Sequence, residues 1–390
     1  MNVQLSPGLR FAEPYPFEAL DRRKAEASAQ GRQLVDFGVG DPREVTAPFI
    51  REALVAGLEP VSSYPRAAGL PELREAIAGW ANRRFAVALD PDTNILPILG
   101  SKELVFSLAQ CVFDREAGKD LAVVTTPGYP IPARGARFAN GDVASLPLTE
   151  ANGFLADLDA VGQETWDRAA ILWLNYPNNP TGAVAPPEYF QHAAELCRAN
   201  GVLLASDEAY SELYFQGGPP ASALQSAELR NIVVINTLSK RSSMTGYRSG
   251  FAAGDPELIG ALKRLRPSVG VTPQEFVQRA SVAAWNDEAH VSENRDRYAA
   301  KRRVFLELFA RRGVKVAGSI ATFYLWVGVP EGQTSQGWAD QLMDRCDVIV
   351  APGSFFGVEG EGYVRMAMVP GQAECERAAE RLDAYLGEHS

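Results

Sequence analysis

The stretch Ala169-Ala-Ile-Leu-Trp-Leu-Asn175 is apolar almost throughout and stops on an amide. A strand with one wet face alternates polar and apolar residues, whereas a strand covered on both faces does not. The run therefore reads as a strand in the interior of a parallel sheet. Upstream of it lie ILPILG (95–100) and LAVVTTP (121–127); downstream come VLLASDE (202–208), NIVVINT (231–237) and SGFAAGD (249–255). Helical patterns separate these runs, such as the amphipathic residues 101–113 and PEYFQHAAELCRANG, which opens with Pro187 and closes with Gly201. Helix starts favour proline and helix ends favour glycine. Short β-rich runs spaced by helices specify an α/β fold, a largely parallel sheet with helices on its faces.

Beyond residue 285 the texture changes. A long charged helical pattern (288–312) leads into TFYLWVGV, DVIVAPG, YVRMAMV and a last helix. The first 40 or so residues lack the βα alternation and end in LVDFGVG. The expected division is a large unit over 45–284 and a small α+β unit built from 1–44 and 285–390.

The chain has 390 residues, and 48 acidic against 38 basic residues leave a formal charge of −10. That balance argues against a general nucleic-acid or anionic-membrane binder, whose surface is basic. The four cysteines, at 111, 197, 346 and 375, form no close pairs, so neither a disulfide framework nor a metal or redox motif is expected. Cys197 reads as a buried, inert thiol. No window approaches the roughly 18 consecutive apolar residues of a membrane span, and no signal peptide is visible. Cytoplasm is the default location.

Four segments place functional groups at strand ends, where open α/β sheets bind ligands. In NTLSKRSSMTGYRSG, Lys240 follows an apolar strand, with Thr237 three residues before it and Arg248 eight after. A lysine there is ordinarily a solvated surface group, but hydroxyls and a guanidinium around an amine also make a phosphate cup. In ASDEAYSELYF, strand 202–206 delivers Asp207, with Tyr210 three residues later; a helix cap is the plain alternative. In NYPNNPTG, the sequence Asn179-Pro180-Thr181-Gly182 follows the buried strand, and as an isolated feature it is a turn. In LGSKELVFSLAQ, Gly100, Ser101 and Lys102 open a helix, whose free backbone N–H groups either take an ordinary cap or bind phosphate.

Taken together and in this order, the four segments resemble the class I/II aminotransferases of the fold-type I pyridoxal-phosphate enzymes. GVGDP (38–42), SSYPRAAGLPELREAIAGW (62–80), TTPGYP (125–130) and YVRMAM (363–368) fall where that family has counterparts. The resemblance covers nearly the whole chain. It implies a mostly parallel seven-stranded sheet in the large unit and pyridoxal 5'-phosphate as cofactor. By the same resemblance Lys240 holds the cofactor as a Schiff base and then shuttles the substrate proton. Asp207 pairs with the pyridine nitrogen, and Asn179 and Tyr210 hydrogen-bond the phenolic oxygen. Tyr129 stacks on the ring, with a core tyrosine as its alternative. Gly100, Ser101, Lys102, Thr237 and Arg248 surround the phosphate, and Tyr64 reaches the phosphate of a neighbouring subunit in a homodimer with shared sites. Arg365 and Asn179 face the substrate, Arg365 taking the α-carboxylate by a two-pronged contact, and Gly40 brings backbone close to it.

The histidines, at 192, 290 and 389, are too dispersed to suggest a zinc site or a Ser-His-Asp triad, and no G-x-S-x-G elbow or phosphate-binding P-loop appears. No metal is expected. Within the family, ILPILGSKELVFS, TLSKRSSMTGYRSGFAAGD and QRASVAAWNDEAHVSENRDRY look similar to bacterial N-succinyldiaminopimelate aminotransferases. The implied reaction moves an amino group between glutamate and a succinylated amino-oxopimelate in lysine and cell-wall biosynthesis. Arg66, Lys102 and Arg241 are candidates for the substrate's further carboxylates, with solvent-facing side chains as the alternative. The competing readings are an LL-diaminopimelate, alanine or aspartate aminotransferase, and, from another class, a carbon–sulfur lyase using the same cofactor. A regulator built on this fold carries a DNA-binding domain ahead of it, for which the 37 residues before GVGDP leave no room.

Overall fold

The computed structural model describes residues 3–5, 7–10, 17–61 and 63–388. A short strand β1 (Val35–Asp36) precedes the central set: β2 (Ile95–Ile98), β3 (Leu121–Thr126), β4 (Asp142–Pro147), β5 (Ala169–Asn175), β6 (Leu203–Asp207), β7 (Ile232–Thr237) and β8 (Gly250–Gly254). These seven form one sheet in the order β2-β8-β7-β6-β5-β3-β4. β8 runs antiparallel to both β2 and β7, and the other pairs are parallel.

Every residue of β5 is buried, as its unbroken apolar run requires. Its side chains alternate between two cores: Leu172 and Leu174 pack with Trp80, Phe190, Phe251 and Trp285 on one face, and Ile171 and Trp173 with Leu104, Leu108 and Val124 on the other. The helix Ser101–Val112 covers the second face; Pro187–Ala199 puts Phe190 and Cys197 into the first. Cys197 is fully buried, and desolvation pushes its thiol up to about 12. The edge strand β4 was not apparent from the sequence, because its residues, DVASLP, are largely solvent-facing.

The second layer is α+β and draws on both chain ends. β9 (Val316–Ala317), β10 (Tyr324–Gly328), β12 (Ala351–Pro352) and β13 (Tyr363–Ala367) form an antiparallel sheet, and β1 pairs in parallel with β11 (Val348–Ile349). Val35 and Phe37 share a core there with Phe305, Leu308, Trp338, Val364 and Leu382. The helices Ala289–Arg311, Ser335–Cys346 and Gln372–Glu388 supply its outer cover. Among the described residues no helix is long and apolar enough to cross a membrane.

Candidate active site

The parallel strands β5, β6 and β7 end at one level. Register pairs Asn175 with Asp207 across β5 and β6, and Asp207 with Ile235 of β7. Lys240 follows three residues after β7, on a short helix capped by the Thr237 hydroxyl, which accepts from the Ser239 N–H. These ends open into a cavity of about 260 Å³. Lys240, Asp207, Asn179, Tyr210, Tyr129, Ser101, Gly40 and Arg365 all line it.

The Asn175 amide ties the floor together, donating to the Asp207 carbonyl at 2.8 Å and accepting from the Asn179 N–H at 2.9 Å. Arg365, on β13, donates to Asn179 Oδ1 at 2.9 Å and to the Gly38 carbonyl at 2.7 Å. Because the guanidinium only donates, Oδ1 is committed as an acceptor and the Asn179 NH₂ remains the donor side. Lys240 Nζ donates to the Gly40 carbonyl at 2.6 Å. The segment carrying Gly38 and Gly40 is held further along by a Glu44–Lys301 ion pair and by the Thr46 hydroxyl on the Ser243 carbonyl.

Burial dominates the electrostatics. It lowers the Lys240 amine from 10.5 to about 8, against the pull of Asp41 and with the help of Arg365 and Arg248. It raises the Asp207 carboxyl to about 6, offset in part by the Ala209 N–H and by Lys240. It also pushes the Tyr210 phenol well above its ordinary value, with Tyr324 as the next cause.

The remaining predicted residues lie outside the cavity lining. Gly100 begins the helix Ser101–Val112 with φ +74°, and a Cβ there would run into the Arg248 guanidinium. Arg248 itself donates to the Thr245 carbonyl at 2.8 Å. Lys102 is half-buried; desolvation lowers its amine, followed by the charges of Arg248 and Arg134. Thr237 is buried and donates to the Ser249 carbonyl. Tyr64 is fully exposed.

One expectation needs correction. Arg241 does not face a substrate: it is 1% exposed, stacks on Trp285 and donates to the Ala284 and Asp287 carbonyls and to Glu288. Arg66 is exposed on the Tyr64 loop, outside this chain's own cavity lining, which accords with its solvent-facing alternative. His290, dispersed in sequence, lies between Asp287 (2.6 Å) and the Ser242 hydroxyl (2.9 Å). Asp287 also accepts the backbone N–H of His290, so this trio pins the segment after Lys240 to a helix start. Sequence reasoning missed Asn175, Tyr324, Phe356 and Asp21 in the cavity wall. Asn175 had a signal, as the polar end of the most buried strand; the others come together only through packing of the chain ends.

A model of the family described as aminotransferase class I and II matches residues 32–382. An LL-diaminopimelate aminotransferase from Dehalococcoides mccartyi is 36% identical over 384 residues, covering 97% of this chain and 98% of its own. Among solved structures, substrate-bound BacF from Bacillus subtilis has a TM-score of 0.92 at 30% identity, covering 99% of this chain and 98% of that one. A probable N-succinyldiaminopimelate aminotransferase from Thermus thermophilus has a TM-score of 0.86 at 32% identity, covering 94% and 99%.

Proposed function

We propose that this chain, which belongs to the class I and II aminotransferase family, carries pyridoxal 5'-phosphate on Lys240 and exchanges amino groups between a diaminopimelate-type amino acid and 2-oxoglutarate. The observation that carries the reading is the convergence of Lys240, Asp207, Asn179 and Arg365 on one cavity. The donor set suits the cofactor. A desolvated amine and a buried carboxylate line the same cavity, and a Cβ at Gly100, where a helix begins, would meet the Arg248 guanidinium. Ser101, Lys102, Thr237 and Arg248 would hold the phosphate, and Tyr129 the ring face.

Bound there, the cofactor supplies a conjugated cationic ring that takes up the electron pair left when the substrate Cα loses its proton. The chain's own groups do the rest. Asp207 would offer its carboxylate to the pyridine nitrogen and favour its protonated form. Asn179, its carbonyl oxygen accepting from Arg365, would offer its NH₂ to the phenolic oxygen, and Tyr210 would add a second donor. Arg365 would take the substrate α-carboxylate with its planar fork. The Lys240 amine, with burial favouring its neutral form, would accept the substrate Cα proton and pass it on to the cofactor carbon next to the substrate nitrogen.

Several observations support the partner and the assembly. The Dehalococcoides relative, matched over nearly its full length, is described as acting on LL-diaminopimelate. This favours LL-diaminopimelate over the N-succinyl compound expected from sequence. The exposed run Val55, Leu58, Val61 and Tyr64 suits a face covered by a second copy, in keeping with a homodimer whose Tyr64 reaches across.

The test presents the purified, cofactor-loaded protein with LL-diaminopimelate, N-succinyl-LL-diaminopimelate, alanine and aspartate in turn. Glutamate formed from 2-oxoglutarate is then measured. LL-diaminopimelate should give the highest kcat/KM. Highest turnover of the succinylated compound would reverse the substrate assignment. Release of pyruvate and ammonia without an oxo-acid acceptor would replace transfer by lyase chemistry.

A further inference from the structure

Tyr324 opens β10 and is buried at 2% exposure, yet no motif marks it. Its hydroxyl lies 2.8 Å from that of Tyr210. Its ring lies under the Arg365 guanidinium, with the charge centre 4.2 Å from the ring centroid. Register explains the second contact: Tyr324 pairs with Ala367 across β10 and β13, which puts Arg365 diagonal to it on the same face. The backbone is fixed as well, for the Tyr324 carbonyl accepts from Arg302 at 3.0 Å and its N–H donates to the Thr322 hydroxyl at 3.0 Å. On the cavity side, a Cβ at Gly40 would collide with the Tyr324 hydroxyl, so the hydroxyl is confined from that side too.

We propose that Tyr324 is a positioning residue, whose hydroxyl turns the Tyr210 proton toward the cofactor and whose ring braces the face of the Arg365 guanidinium, leaving its N–H edge to the carboxylate. The proposal rests on the reading of the site as a pyridoxal-phosphate site. Each hydroxyl has a single proton to give. If Tyr210 gave its proton to Tyr324, none would remain for the cofactor's phenolic oxygen. With Tyr210 donating to the cofactor, the 2.8 Å contact requires Tyr324 to donate to Tyr210. Such chains polarise one another, so the second donor strengthens the first. A better-stabilised phenolate holds less tightly the proton it shares with the lysine-derived nitrogen.

The groups that bear on this pair are Arg365 on β13, Asp207 and Lys240 at the strand ends, Asp41 and Arg248 through Lys240, and Tyr298 and Arg302 on the helix behind. All of them remain in Tyr324→Phe, which removes the hydroxyl alone. Tyr324→Leu removes the ring as well.

The experiment titrates the visible absorbance of the bound cofactor against pH in the parent holoenzyme and in both variants, with melting temperature as a check on folding. For Tyr324→Phe the midpoint should rise by roughly half a pH unit or more, the shift expected on losing one hydrogen bond of ordinary strength. Its KM for the amino substrate should stay within about twofold, since the ring under Arg365 is kept. For Tyr324→Leu, KM should also rise by roughly fivefold or more. A Tyr324→Phe midpoint equal to the parent's overturns the hydroxyl's role, even if the protein is less stable. An unchanged KM in Tyr324→Leu overturns the bracing role. A parent protein with no visible cofactor band defeats the underlying reading of the site and takes this proposal with it.

Discussion

At the scale of single residues, Lys240 is pulled two ways: desolvation favours its neutral amine, while Asp41 and Asp207 favour the ammonium. Desolvation wins, and the group titrates near 8 instead of 10.5. Only the neutral amine attacks an aldehyde. Capture of pyridoxal phosphate by the cofactor-free protein should therefore accelerate as pH rises through about 8 and level off above it. Stopped-flow absorbance measures this, and a rate still climbing steeply at pH 10 would mean the amine is not desolvated as described. Arg365 makes a different demand. Its planar fork contacts Asn179, Gly38 and the Tyr324 ring together, a geometry that a lysine ammonium cannot reproduce. Arg365→Lys should lower kcat/KM by roughly 10- to 100-fold, mainly through KM, in steady-state kinetics with the amino substrate.

At the scale of elements, the site depends on strand ends and helix starts meeting at one level. Gly100 is where a helix N-terminus comes against Arg248, with φ +74° and ψ 165°, a backbone region that costs other residues about 1–3 kcal/mol. Gly100→Ala should weaken cofactor affinity by roughly tenfold or more while the far-UV circular dichroism is retained; equilibrium dialysis of the cofactor reads the difference. Much of this scaffold could be read directly. β5 was legible from end to end because burial on both faces leaves an uninterrupted apolar run, and Asp207 was legible because such a run delivers it. β4 was not, since an edge strand with a solvent-facing pattern carries little periodic signal. Arg241 misled for a related reason. It neighbours Lys240 in sequence, but the short helix Leu238–Arg241 turns adjacent side chains to different sides, and Arg241 goes into the core against Trp285. Tyr324 and Phe356 were illegible because their closeness to Lys240 and Arg365 arises only when the chain ends fold back.

At the scale of the whole molecule, Tyr64 is the residue that a single chain does not explain. It is wholly exposed, although the family resemblance gives it a phosphate to hold. In a dimer with shared sites it serves the neighbour, and a mixing experiment decides this. Lys240→Ala and Tyr64→Ala proteins would be unfolded, mixed, refolded together and assayed. Hybrid dimers then contain one site with both residues intact, so activity should rise to roughly a quarter of wild type for random pairing of equal amounts, above either variant alone. If Tyr64 served its own subunit, each hybrid site would carry one defect and mixing would add nothing.

The most direct test of the central claim, that Lys240 carries the cofactor, is chemical. The protein loaded with pyridoxal phosphate is reduced with borohydride, digested, and its peptides are weighed and sequenced by mass spectrometry. The reduced cofactor should be found on the peptide containing Lys240, at the lysine itself, with Lys102 unmodified. An adduct elsewhere, or none after loading, would contradict the account.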